Sequence, residues 1–161
     1  MKTKFLFQNR CKRIGWILLI PSAILGFFVL FFDFEFKFLD SKVFAIYSEM
    51  FVLGDSNTKI FSIDVNNITD EIAAILFLIG AIFVAFSEEK HEDEFIAKTR
   101  LESLVWATYI NYAILIFCII FFFNIGFLTV MILNMFTILI FFIIRFYYIL
   151  YKTNKSLDHE K

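Results

Sequence analysis

One proline, two cysteines, two histidines and five glycines among 161 residues leave several chemistries without their parts. Cys11 and Cys118 lie far apart and no C-x-x-C occurs, so neither a disulfide framework nor a thioredoxin-like centre is available. No G-x-S-x-G and no glycine-rich phosphate loop is present, and with them go the usual serine-hydrolase and nucleotide-binding signatures. A net charge of −1, with no Lys/Arg cluster interleaved with aromatic residues, argues against nucleic acid as a partner. The most informative scarcity is local: 14–32, 104–123 and 125–144 contain no Asp, Glu, Lys, Arg or His. The parts of a proton relay or an ion-coupled transporter are therefore missing from those runs.

What fills the chain instead is apolar. It is 60% hydrophobic with 25 Phe, and its mean hydropathy is +0.78. Soluble domains hold about 45–50% apolar residues, so the expected solvent is a lipid bilayer. A helix crosses about 30 Å of hydrocarbon in about 20 residues. Four spans are expected, at about 14–32, 69–87, 104–123 and 125–144. The second is the shortest and needs Asp70 and Glu71 to reach the headgroups. The first run is too long for a cleaved signal segment and has no A-x-A-like end, so it reads as a retained anchor.

Positive residues are retained on the cytoplasmic side. With both termini inside, only Lys37, Lys42 and Lys59 fall outside, leaving 15 − 3 = 12 Lys and Arg within. Trp16, Trp106, Tyr109, Tyr112, Tyr147, Tyr148 and Tyr151 then form an aromatic belt at the inner interface. The expected topology is N-in and C-in, in an inner membrane. Asn124-Ile125-Gly126 leaves almost no loop between the last two spans. Folding there brings Asn111 and Asn134 to similar depth as an intramembrane polar contact, beside Thr108 and Thr137. Ser22-x-x-x-Gly26 and Ala81-x-x-x-Ala85 are small-residue pairs suited to close helix approach. Pro21 is expected to kink or loosen the first span.

The outer loop, 33–68, alternates Phe32, Phe34, Phe36 and Phe38 with charges, and repeats a period of two at Phe61, Ile63 and Val65. Between them "KVFAIYSEMFVL" fits a strand or a helical stripe. A small β-meander is favoured over a helix, docked as a lid because so short a segment builds no core of its own. Asn67-Ile-Thr69 matches a glycosylation sequon but also suits a helix start, with Asp70 and Glu71 favourably placed for the dipole. The helix start is the reading adopted.

"SEEKHEDEFIAKTRLES" stands between the second and third spans. Glu88-Glu89-Lys90-His91 is one E-x-x-H half-site, whereas a di-iron bundle needs two of them and further Glu residues from other helices. Phe95 stands where a second zincin histidine would be. No metal or other cofactor is assigned, and only a weak metal contact at Glu88, His91 and Glu92 stays open. Lys90/Glu94, Glu94/Lys98 and Lys98/Glu102 are opposite charges four apart, so 88–103 reads as a cytoplasmic charged helix running into the third span. Its candidate partner surface is Glu92, Asp93, Glu94, Lys98, Arg100 and Glu102.

"KRIGWILLIPSAILG", "NNITDEI", "FSEEKHEDEFIAKTRLESLVWATYINYA" and "NMFTILIFFIIRFYYILY" resemble a group of small bacterial four-span integral membrane proteins without an assigned function. The likeness covers most of the chain. It implies a bacterial four-span protein and brings no reaction, cofactor or catalytic residue.

The expected fold is thus all-α and membrane-embedded, a single domain of four transmembrane helices with an outer β lid and a cytoplasmic extension of the third helix. No catalytic residue is assigned. The leading expectation is a non-enzymatic interaction or signalling component with a cytoplasmic protein partner at 88–103, and self-association is compatible with it. Alternatives are a membrane-lesion or pore-forming protein, supported by Asn111 and Asn134, and a lipid- or quinone-acting enzyme using His91 and its neighbouring acids.

Overall fold

The computed structural model describes residues 6–32, 34, 36–52, 55–90, 93–123 and 125–159. The described residues form four long helices: α1 (Asn9–Phe32), α2 (Thr69–Ala85), α3 (Glu94–Phe121) and α4 (Ile125–His159). Between α1 and α2 lie a 3-10 turn (Lys37–Leu39) and two strands, β1 (Asp40–Val52) and β2 (Asp55–Asn67). Among the described residues three helices, α1, α3 and α4, are long and apolar enough to cross a membrane. α2 is equally apolar in character but has 17 residues, about 26 Å at about 1.5 Å per residue.

These helices carry their apolar side chains outward. Ile17 is 70% exposed, Ile116 59%, Phe121 63% and Ile144 59%, surface that water would drive into aggregation and that lipid tolerates. Among the described residues the buried positions are mostly small: Ala81, Ala85, Ala107 and Ser103 are fully enclosed, with Phe142 and Phe146 the largest side chains among them.

The chain divides into two compact units. The first contains residues 1–19 and 78–161, and in it the chain order sets the packing. Phe7 lies beside Ser87, Gly15 meets Phe83 and Val84, and Leu19 meets Gly80. Rising numbers on one side match falling numbers on the other, so this part of α1 and the end of α2 run antiparallel. The approach is close enough to require glycine. A Cβ at Gly15 would lie 2.9 Å from the Val84 nitrogen, and one at Gly80 would lie 2.8 Å from the Leu19 nitrogen. α3 and α4 pair as a hairpin joined across 122–124, with Trp106 against Phe141 at 6.4 Å between ring centroids.

The second unit contains residues 20–77. Pro21 sits inside α1, which runs through it as one helix. Among the described residues, the segment between α1 and α2 is a two-stranded antiparallel hairpin in register from Asp40↔Asn67 to Val52↔Asp55, and not the expected meander. Phe36 and Phe38 fall in and beside the 3-10 turn rather than on a third strand. The reason lies in the end of the hairpin. Asn67 Nδ2 donates to the Phe36 carbonyl at 2.9 Å and to Asp40 Oδ1 at 2.7 Å, while the Phe36 nitrogen donates to Thr69 Oγ1 at 3.1 Å. Both backbone polar groups of Phe36 are thus taken up by the last residue of β2 and the first of α2. Asn67 Oδ1 also accepts from the Thr69 nitrogen at 3.0 Å, so the sequon asparagine is committed to starting α2. Phe61, at φ 58, occupies the left-handed region, and the ladder skips its pairing with Ile46 while keeping register on both sides.

Candidate functional site

The polar residues of the first unit gather where α1 begins and α2 ends. α2 stops at Ala85, and Ser87 Oγ folds back onto the Phe83 carbonyl. The following residues lie against the N-terminal arm through a short parallel bridge. The Phe7 nitrogen donates to the Phe86 carbonyl, and the Glu88 nitrogen donates to the Phe7 carbonyl, both at 2.9 Å. Asn9 Nδ2 caps this arrangement by donating to the Glu88 carbonyl at 2.7 Å.

Lys12, one turn into α1, reaches Glu89 with Nζ 2.6 and 2.7 Å from its two carboxylate oxygens. The same ammonium stands 4.7 Å from the Tyr147 ring centroid, and Tyr147 packs against Trp16 at 5.7 Å. The Tyr147 hydroxyl donates to the Val84 carbonyl at 3.2 Å, one of the last carbonyls of α2, which have no partner within their own helix. α1, α2 and α4 are thus joined through one lysine and one tyrosine.

Arg100 forms the second junction. It is 8% exposed, its Nη2 donates to the Ser87 carbonyl at 3.2 Å, and its guanidinium lies 5.2 Å from the Phe146 ring centroid. Phe146 stacks on Phe142 and Phe142 on Phe86, at 5.9 and 5.6 Å. The buried face of α3 continues through Ser103 and Ala107. Ser103 Oγ has no hydrogen-bond partner among the described residues.

The charged block is therefore divided. α3 begins at Glu94 rather than at 88, because Asp93 adopts an extended backbone and its Oδ1 accepts from the Ile96 nitrogen at 2.8 Å, which satisfies one of the orphan donors of the first turn. Lys90, before that cap, shares no helix with Glu94. Lys98 and Glu102 do pair, at 3.9 Å with both side chains exposed, a contact worth about 0.2–1 kcal/mol at most. Among the candidate partner residues Glu94, Lys98 and Glu102 face outward, Asp93 is exposed and acts as the cap, and Arg100 turns inward. Glu92 and His91 lie outside the described residues. Glu88 is exposed, and no group of three or more metal-ligating side chains occurs among the described residues.

Farther along the hairpin, the Asn111 and Asn134 amides exchange hydrogen bonds at 3.4 and 3.3 Å. Thr108 and Thr137 donate to the Leu104 and Leu133 carbonyls, each at 2.9 Å, so their hydroxyls are used within their own helices. Replacing both asparagines with leucine, singly and together, is expected to give a coupling energy of about 0.6–1.7 kcal/mol, the range of interhelical polar pairs in lipid. Reversible unfolding in mixed micelles measures it.

Gly15, Gly80, Lys12 and Tyr147 carry this site without any sequence motif to announce them. A lone glycine inside an apolar run was the available signal for the first two. Compared with protein-family models, curated proteins and solved structures, the chain matches none. In this arrangement the cations meet a carboxylate, a carbonyl and ring faces.

Proposed function

We propose that the chain is a non-enzymatic interaction component of a bacterial inner membrane, crossing it four times with both termini in the cytoplasm. α2 as a crossing helix is supported by its antiparallel approach to α1 at Gly15 and Gly80 and by the short extension through Phe86 and Ser87. The orientation rests on the distribution of Lys and Arg and on the aromatic residues around Lys12 and Arg145.

The observation that carries the interaction reading is the outward face of α3's first turns. Glu94, Lys98 and Glu102 are exposed together with Phe95 at 47% and Leu101 at 63%. Apolar side chains flanked by charges of both signs suit a protein partner; a purely solvating helix end has no use for them. Arg100 and Asp93 support that surface from behind, by anchoring and by starting the helix.

Photo-cross-linking in cells tests this. A photoreactive residue at position 101 is expected to give discrete protein adducts, lost when Glu94, Lys98 and Glu102 are all replaced by glutamine. The same residue at lipid-facing position 116 is expected to give lipid adducts. Identical adduct patterns at the two positions would sink the proposal. The Asn111–Asn134 exchange favours packing over a polar pathway, since each amide occupies the other.

A further inference from the structure

Beside the Lys12–Glu89 junction lies an open cleft of about 480 Å³, within the range of about 300–1,000 Å³ usual for ligand sites. Its cationic wall is Lys12, Arg13 and Lys90, its one anion is Glu89, and its apolar wall is Trp16, Ile96 and Leu150. Glu89 is held by Lys12 through both oxygens, so three cations less one anion leave a formal excess of two positive charges on Arg13 and Lys90. Both of those residues are exposed.

We infer that this cleft binds the headgroup of an anionic phospholipid. Two features select a lipid over other anions. Arg13 sits one turn before Trp16 on α1, so a phosphate on Arg13 and Lys90 would place its acyl chains along the apolar wall of Trp16 and Leu150. The helix that carries Arg13 and Trp16 is one of those long and apolar enough to span a membrane, and an indole at such a helix end belongs at headgroup depth. Basic clefts between helices at this depth are the general form of anionic-lipid sites. The inference goes beyond the protein-partner reading and does not depend on it, because the cleft and the outward face formed by Glu94, Lys98 and Glu102 share no residue.

Native mass spectrometry of the full chain, released from neutral detergent in the presence of phosphatidylglycerol or phosphatidylcholine of equal chain length, provides the test. Phosphatidylglycerol is expected to stay bound at concentrations where phosphatidylcholine does not. Arg13→Gln with Lys90→Gln is expected to weaken it roughly 10- to 30-fold. The single variants, each weaker by about 3- to 5-fold, carry the test if the double variant does not fold. Lys152→Gln with Lys155→Gln, an equal loss of charge on exposed α4 positions, is expected to change binding less than about threefold. Equal binding of the two lipids, an equal loss in both double variants, or displacement of phosphatidylglycerol by millimolar inorganic phosphate would overturn the inference.

Discussion

Gly80→Ala is expected to destabilise the protein by about 1–3 kcal/mol, the cost of forcing extra volume into a closed contact. The new Cβ would stand 2.8 Å from the Leu19 nitrogen, 3.0 Å from its Cα and 3.1 Å from the Gly15 carbonyl oxygen. All three are backbone atoms of a regular helix, so no side chain can swing aside. α1 and α2 must separate, and their separation pulls Lys12 from Glu89. Gly15→Ala meets Val84 and Gly80 backbone in the same way and acts on the same interface, so the double variant is expected to cost less than the sum of the singles. Gly26→Ala is the control: nothing lies within 4 Å of its Cβ position, and removing a helical glycine there is expected to be neutral or stabilising by up to about 1 kcal/mol. Unfolding by sodium dodecyl sulfate in mixed micelles orders the three. A Gly80→Ala protein as stable as the Gly26→Ala protein would show that the helices do not meet at this glycine.

Arg100→Met carries the other large effect. Methionine keeps much of the apolar stem and loses the guanidinium, leaving the Ser87 carbonyl without its charged donor and Phe146 without its cation. A hydrogen bond from a charged group contributes about 1.5–3 kcal/mol, and a desolvated cation on an aromatic face about 2 kcal/mol. Since the buried cation also has a desolvation cost that methionine avoids, the expected net loss is about 2–4 kcal/mol. Lysine cannot present the planar fork that serves carbonyl and ring together, so Arg100→Lys is expected to recover only a minor part. The loss should be local as well as global: protease cleavage between α2 and α3 should rise before the helices unfold. Unchanged cleavage and unchanged stability in Arg100→Met would remove Arg100 from its anchoring role.

How far such effects were legible in the sequence depends on whether their cause is local. The charge-free runs locate the apolar cores of α1, α3 and α4 because hydrocarbon admits few charges, but they do not mark where those helices end. α1 begins at Asn9 and α4 continues to His159, through charged residues that a hydropathy window excludes. α3 starts at Glu94 because Asp93 caps it, a signal present in the sequence but masked by the regular spacing of Lys90, Glu94, Lys98 and Glu102. The period of two at Phe61, Ile63 and Val65 marks β2. The same period at Phe34, Phe36 and Phe38 misleads, since Asn67 and Thr69, more than thirty positions away, draw that backbone into a turn. Ser22 and Gly26 resemble a close-packing pair more than Gly15 and Gly80 do, yet Gly26 faces open space. Which face of a helix meets its neighbour is set by the pair, not by either helix. Arg100 hides its role for a similar reason, because its ring partner Phe146 arrives from another helix.

The bond between Lys12 and Glu89 spans 77 positions, and that separation has a consequence in time. A ribosome adding about 5–20 residues per second needs about 4–15 s to deliver the carboxylate after the ammonium. Throughout that interval the Lys12 ammonium has no Glu89 to meet and keeps its charge. Only once Glu89 has followed is that charge met, so the contact that joins α1 to the end of α2 in the finished fold cannot cancel the charge of the lysine while α1 is being made.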